Sequence, residues 1–278
     1  MIMKKIVLMT DFSENARKAI KYGINLFGDS VEYLLVHSYT VRKATGSFAD
    51  IGALIRQDAL NDFENEIHFI KNEFSHFPDL KISTICKEGD PVDVINNLDN
   101  SLGIDLIVMG TKGASGLSKI FIGSVTASLI RKTKYPVLSV PEEAVFKSID
   151  KIVFAADLAL NRNAVLTYPL KSIARKNNSE VLLLHILNEG ELAKGFDNYK
   201  LNKLEMSADL EGIKKTMNFV ETNNKTEGIV QFCIKNNADL LTVIARHNTF
   251  FDKLFHKSVS QELAYSLKMP LLTLEDSF

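Results

Sequence analysis

An α/β fold in two tandem copies, each a five-stranded parallel sheet flanked by helices, is predicted by three observations. Short apolar runs alternate with longer segments whose apolar residues recur at helical spacing, the order of a parallel sheet with right-handed crossovers. Runs such as Ile6-Val7-Leu8-Met9 and Leu106-Ile107-Val108-Met109 are apolar throughout, as strands buried on both faces are. The second half then repeats the first. Asp239, Ser258 and Pro270 follow Asp105, Ser124 and Pro136 at a constant distance of 134 residues, the mark of a duplicated unit. The copies are placed at residues 1–143 and 149–278.

In the first copy a strand over 6–9 ends at Thr10-Asp11-Phe12-Ser13, and Ser13 is placed to cap the helix that follows. That helix carries Ala16, Ala19, Ile20, Gly23 and Leu26 on one face and closes at Gly28-Asp29. A second strand covers 31–39 and includes His37. A loop over 42–52 leads to a long amphipathic helix over 53–77, with Leu54, Leu60, Phe63, Ile67, Ile70 and Phe74 on its apolar side. A strand over 80–86 follows. Gly89-Asp90-Pro91 is a turn, with Pro91 near the start of a helix over 92–102. The run 106–109, a glycine-punctuated loop, a helix from Ser124 and a strand over 136–140 complete the copy.

A polar connector over 142–150 separates the copies. In the second, 152–156 followed by Asp157 mirrors 6–10 followed by Asp11, and 181–186 with His185 mirrors the strand with His37. A long polar stretch over 189–224 contains a helix-like segment from 201 to 219. The runs 238–241 and 268–272 mirror 104–107 and 134–138.

The bulk properties narrow the function. With 278 residues, 46% hydrophobic and 24% charged, the chain has the composition of an ordinary two-domain globular protein. Thirty-three basic against 34 acidic residues give a formal net charge of -1. No basic field or polybasic run points to nucleic acid or an anionic membrane surface. No apolar stretch approaches the roughly 20 residues of a membrane helix. Cys86 and Cys233 show no metal-ligand spacing and read as two buried thiols in a reducing compartment. A soluble, cytoplasmic protein is expected.

The loop between Met109 and Ser124 carries Gly110, Gly113, Gly116 and Gly123. Such a loop lets backbone N–H groups approach an anion, and the helix after it adds partial positive charge. Asp11 and Gly110 each fall at the carboxyl end of a strand, where ligands of parallel sheets sit. At the repeat distance, Gly110, Gly113, Gly116 and Gly123 become Ile244, His247, Phe250 and Lys257. The second copy is expected to keep the fold and lose the phosphate cradle.

These residues resemble the universal stress protein family. Its nucleotide motif, G-x2-G-x9-G-[ST], is present as Gly110, Gly113, Gly123 and Ser124. Its TDFS sequence is Thr10-Asp11-Phe12-Ser13, and its GDP turn is Gly89-Asp90-Pro91. The resemblance covers both halves; the motif covers only the first. It implies Rossmann-like (adenine nucleotide alpha hydrolase-like) domains that bind ATP, ADP or AMP in stress adaptation. Adenine is then expected against Met9, Thr10, Asp11 and the backbone of Ser38. Ribose is expected near Asp11, Met109 and Gly110, and phosphates against Gly113, Gly123, Ser124 and Val125. Met9 stands where proline is frequent in the family. The resemblance also implies pairing of last strands, which a tandem chain makes internally between 136–140 and 270–274, and a homodimer of tandem chains.

Rival readings accompany these. Asp11 could cap a helix beside Ser13, and Ser124 could cap its own helix. Lys112 and Lys119 are nearby cations that commonly face solvent. His37 and His185, in apolar strands, read as buried, hydrogen-bonded histidines rather than catalysts. His247 and His256, near Arg246, Lys253 and Lys257, read as a solvated loop. The chain lacks the GK[ST] ending of a Walker loop, a nucleophile elbow and HExxH, so no catalytic residue or metal ligand is assigned. The alternatives to a regulatory binding module are a slow ATP hydrolase with Mg²⁺ near Ser124 and a scaffold that binds no nucleotide.

Overall fold

The structure is a computed structural model; it describes residues 3–41, 49–112, 123–155, 167–190, 210–245 and 268–275. The chain divides into two compact units, the first Met3–Tyr135 and the second beginning at Pro136.

The first unit holds β1 (Lys5–Met9), α1 (Glu14–Phe27), β2 (Glu32–Tyr39), α2 (Ala49–Glu73), β3 (Lys81–Glu88), α3 (Pro91–Asn96), a 3-10 turn (Asn100–Leu102), β4 (Leu106–Gly110) and α4 (Ser124–Lys132). Its strands lie in the order β3-β2-β1-β4, all parallel. From β1 the chain moves outward to β2 and β3, then returns to the other side of β1. The order therefore reverses between β1 and β4, which pair as Ile6↔Leu106 and Leu8↔Val108. Ile6, Val7, Leu8, Leu106 and Ile107 are fully buried, as two-faced apolar strands require. Helix α1 approaches this pair at Gly23, where a Cβ would stand 3.3 Å from the side chains of Leu8 and Val108.

Two first-unit helices differ from expectation. Leu54 and Leu60 are exposed, at 62% and 39%, rather than on the buried face of α2. The buried stripe is Ala59, Phe63, Glu66 and Ile70, continued by Phe74. A carboxylate occupies a position that the apolar pattern could not supply. The helix expected over 92–102 stops at Asn96. Asp99 accepts a hydrogen bond from the N–H of Ser101 (2.8 Å), which starts a separate turn that left-handed Gly103 closes. Asp90 caps α3, accepting from the N–H of Val92 at 2.9 Å.

The second unit holds β5 (Val137–Val140), β6 (Lys151–Ala155), α5 (Tyr168–Asn177), β7 (Glu180–Leu187), β8 (Lys215–Glu221), α6 (Lys225–Asn236), β9 (Leu240–Ala245) and β10 (Leu271–Glu275). Its order is β5-β10-β9-β6-β7-β8. The neighbours are parallel except β5 and β10, which pair antiparallel through Leu271↔Ser139, Leu272↔Leu138 and Thr273↔Val137. The expected internal pairing of the two last strands is thus present, and Ser139 Oγ adds a hydrogen bond to the Leu271 carbonyl. The fifth strand of the first copy therefore groups with the second copy.

The helix-like reading of 201–219 is corrected at its end, because Lys215–Glu221 is a strand. Residues 201–209 lie outside the described residues. The alternation of Met217, Phe219 and Glu221 suits a pleat, and β8 pairs with β7 from Val181↔Lys215 to Leu187↔Glu221.

The duplication extends to hydrogen bonds. Asp105 accepts from the N–H groups of Lys4 (2.6 Å) and Lys5 (3.0 Å), while its own N–H donates to the Lys5 carbonyl. Asp239 accepts from Asp150 (3.0 Å) and Lys151 (2.9 Å), and its N–H donates to the Lys151 carbonyl. Each aspartate ties the start of one strand to the strand beside it, a structural use of a repeated charge.

The copies differ at Thr242 on β9, where the first copy has Val108. Thr242 is fully buried, and its Oγ1 has no hydrogen-bond partner among the described residues. Thr242→Val removes a desolvated hydroxyl at nearly constant shape. It is expected to raise stability by about 1 kcal/mol in urea unfolding.

Cys233 is buried, and burial pushes its thiol up to about 12. Cys86, on β3, is half-buried rather than buried as expected. No helix among the described residues is long and apolar enough to cross a membrane.

Candidate functional site

The carboxyl ends of β1 and β4 lie side by side at the reversal of strand order, the place where parallel sheets bind ligands. From β1, Thr10 continues the ladder, its N–H donating to the Val36 carbonyl at 3.0 Å. Its buried Oγ1 accepts from the N–H of Phe12 at 2.9 Å. Asp11 is exposed, and its carboxylate accepts from the N–H (3.1 Å) and hydroxyl (2.5 Å) of Ser13. Ser13 is the cap of α1, its Oγ accepting from the N–H of Ala16 at 3.2 Å. Asp11 therefore stands outside the cap, and the cap reading passes to Ser13.

From β4, Met109 is buried and Gly110 half-buried. A Cβ on Gly110 would stand 3.1 Å from the backbone carbonyl oxygen of Asn15, in the first turn of α1. Glycine is needed here for close approach, since this backbone is not left-handed. Gly123 also has an ordinary φ of -59°.

Helix α4 is fastened to the same end of β4. Thr126 Oγ1 donates to the Gly110 carbonyl at 2.9 Å, and the Gly123 N–H donates to the Thr111 carbonyl at 2.5 Å. Gly123 is the N-cap residue and gives no side-chain cap. Ser124 is the first helical residue rather than the cap. Ser124 and Val125 are both exposed. A helix N-terminus without a side-chain cap presents amide donors and partial positive charge, a setting for an anion. Arg131 and Lys132 sit in the last turn of α4, where cations suit the dipole.

The structure thus brings Met9, Thr10 and Asp11 beside Met109 and Gly110, with Gly123, Ser124 and Val125 fastened to the same strand end. Ser38 is half-buried on β2, directly after His37. His37 Nδ1 lies 2.9 Å from the Thr10 carbonyl, as the hydrogen-bonded reading of this histidine expects, although the ring is half-buried rather than buried. His185 is buried on β7, 6.4 Å from the ring of Phe219. Gly113, Gly116, Lys119 and Asp157 lie outside the described residues, as do Arg246, His247, Phe250, Lys253, His256 and Lys257.

Some contributors carried no sequence signal of their own. Asn15 and Thr126 are ordinary helix residues whose backbone or hydroxyl happens to meet Gly110. The rings of Phe12, next to Asp11 in the chain, His37 and Phe63 pack together from three separate segments. The sequence named each of them singly, Phe12 in TDFS, His37 in an apolar strand and Phe63 on the apolar side of the long helix, but not their meeting. No group of three or more His, Cys, Asp or Glu that could hold a metal ion occurs among the described residues. A cleft of about 450 Å³ opens at the amino ends of the strands and includes Lys4, Lys5, Asp29, Glu32 and Lys81. It shares no residue with the crevice, and its charges are mixed, with Lys5 Nζ 3.3 Å from Glu32.

Comparison with known proteins agrees with this architecture. Residues 3–141 and 148–274 each match the Universal stress protein family. Universal stress protein MJ0577 of Methanocaldococcus jannaschii is 31% identical over 156 residues, covering 49% of this chain and 94% of the relative. Universal stress protein Slr1230 of Synechocystis is 22% identical over 294 residues, covering 98% of this chain and 99% of the relative. Among solved structures, a universal stress protein from Archaeoglobus fulgidus is similar in fold, with a TM-score of 0.72 at 21% identity and 98% of both chains covered. Both copies match one family model, and a relative covered over 99% of its own length spans them together: the chain belongs to the universal stress protein family, as a member with two of its domains in tandem.

Proposed function

We propose that the first copy binds an adenine nucleotide, ATP, ADP or AMP, and that the bound state regulates partners in a stress response. The observation that carries this reading is the N-terminus of α4 fastened to the end of β4, beside the exposed Asp11 carboxylate. Phosphates fit the amides of Ser124 and Val125 and lie against Gly123, whose own N–H is held by the Thr111 carbonyl, with Gly113 completing the family motif. Asp11 accepts hydrogen bonds from ribose hydroxyls near Met109 and Gly110. Adenine contacts Met9, Thr10, Asp11 and Ser38. Met9 and Met109 are 8% and 5% exposed, so their contribution is an apolar edge and backbone groups rather than a broad face.

The second copy, 149–278, carries Ile244, His247, Phe250 and Lys257 in place of the loop glycines and keeps the fold without a phosphate cradle. One nucleotide per chain follows. The site is read as a binding site, with slow hydrolysis of ATP as the alternative. A cytoplasmic location and a homodimer of tandem chains belong to the same reading.

Thermal unfolding with and without ATP tests it. A ligand that binds only the folded state raises Tm, by about 2.7 kcal/mol of added stability at a hundredfold excess over Kd. Wild type is expected to show the rise and Gly113→Val to lose it. A Tm indifferent to ATP in both contradicts the proposal.

A further inference from the structure

Three non-glycine residues have positive φ among the described residues: Phe12 (61°), Asn178 (53°) and Asn237 (52°). The asparagines close α5 and α6, where the left-handed conformation is ordinary. Phe12 closes no helix. A bulky aromatic crowds its carbonyl in this conformation, and such a residue persists only where its surroundings impose it.

The surroundings are specific. The Phe12 ring lies 4.7 Å from the His37 ring of β2, tilted by 38°. Phe63 of α2 meets it edge-on at 5.2 Å. The Phe12 N–H is taken by Thr10 Oγ1. The Thr10 carbonyl accepts from His37 Nδ1 at 2.9 Å, which places the proton of the neutral ring on Nδ1. Thr10 and Phe12 are thus both anchored, one by the His37 nitrogen and one by the aromatic cluster. Asp11 stands between the anchors, exposed.

We propose that Phe12 and His37 are positioning residues, which hold the Asp11 turn in an otherwise disfavoured conformation so that its carboxylate faces the crevice before ligand arrives. The proposal rests on the nucleotide reading of the first copy and adds how that site is preset. Pre-organisation of this kind strengthens binding by removing the cost of ordering the turn. It also makes α2, through Phe63, a determinant of affinity for a ligand that it does not touch.

Phe12→Gly tests this, because glycine keeps the left-handed backbone allowed while removing the anchor. By calorimetry on the full chain, ATP affinity is expected to fall about tenfold, the loss of roughly one charge-assisted hydrogen bond. Phe12→Tyr keeps the ring and is expected to bind as wild type does. In an Asp11→Ala background, Phe12→Gly is expected to add little, since it acts through Asp11. Wild-type affinity in Phe12→Gly, or an equal loss in both backgrounds, overturns the proposal. If wild type binds no ATP, the nucleotide reading fails, and amide exchange in the ligand-free chain decides the positioning claim separately. The Ser13 N–H, bonded to Asp11, is expected to exchange faster in Phe12→Gly while β1 and β4 stay protected. Unchanged exchange at Ser13 overturns it. Should Phe12→Gly fail to fold, His37→Leu removes the other anchor and is read the same way.

Discussion

Arg17→Ala is expected to lower the unfolding free energy by about 3–5 kcal/mol, the cost of stranding a buried charge. Its partner, Glu66, is 1% exposed and sits on the buried stripe of α2 between Phe63 and Ile70. Arg17 reaches it from α1 with Nη2 at 2.6 Å and Nε at 3.0 Å from the same carboxylate oxygen, and Nε at 3.2 Å from the other. The guanidinium also bonds Glu14 at 3.2 Å and lies 4.8 Å from the centre of the Phe69 ring. The hydrogen bonds that it donates to Glu66 hold the Arg17 pKa above its ordinary value. Removing it leaves a carboxylate with neither water nor a counter-charge.

Two comparisons isolate the mechanism. Replacing both partners, Arg17→Met with Glu66→Leu, is expected to recover most of the loss, because an apolar pair needs no desolvated charge. The half-exposed pair Lys21–Glu73 joins the same helices, and breaking it is expected to cost less than about 1 kcal/mol. Urea unfolding measures all three. A loss below about 1 kcal/mol in Arg17→Ala would show that water reaches Glu66.

Gly110→Ile places in the first copy the residue that the second copy uses at the matching position, and it is expected to remove ATP binding. The first added carbon already stands 3.1 Å from the Asn15 carbonyl oxygen, a backbone atom of α1 that cannot rotate away. The helix must shift from the end of β4, carrying the Asp11–Ser13 turn with it. Overpacking of this kind costs about 1–3 kcal/mol, so a chain that still folds is expected. The reverse substitution, Ile244→Gly, is expected to give no second site, since His247, Phe250 and Lys257 remain. Equilibrium dialysis with ATP on both variants checks this, with unfolding midpoints to show that each is folded.

That substitution also marks where the sequence was informative. The contrast between glycine and isoleucine was legible as a difference between copies, but its cause was not. Gly110 is required by the approach of Asn15, and Gly123 has a φ open to any residue, so turn conformation explains neither. Strands β1, β2 and β4 and the cap at Ser13 were readable because each follows from local pattern or repetition, whereas the pairing of last strands was implied by the family resemblance. Glu66 was not, because its partner lies 49 residues away and a carboxylate on a helix reads as solvent-facing. Leu54 and Leu60 misled for the converse reason, since spacing alone does not say which stripe has a neighbour. The strand over 215–221 lay inside a polar stretch, and only its pairing with β7 reveals it. The TDFS sequence marked the turn at Phe12 but not its left-handed conformation, since the ring's neighbours come from β2 and α2.

The central claim is that one adenine nucleotide binds each chain, in the first copy. Calorimetric titration of ATP into the full chain tests it most directly. Saturable binding with a stoichiometry near one per chain, abolished by Gly113→Val, is the predicted result. Absence of binding, a stoichiometry near two, or a Gly113→Val chain that binds as wild type does would contradict it.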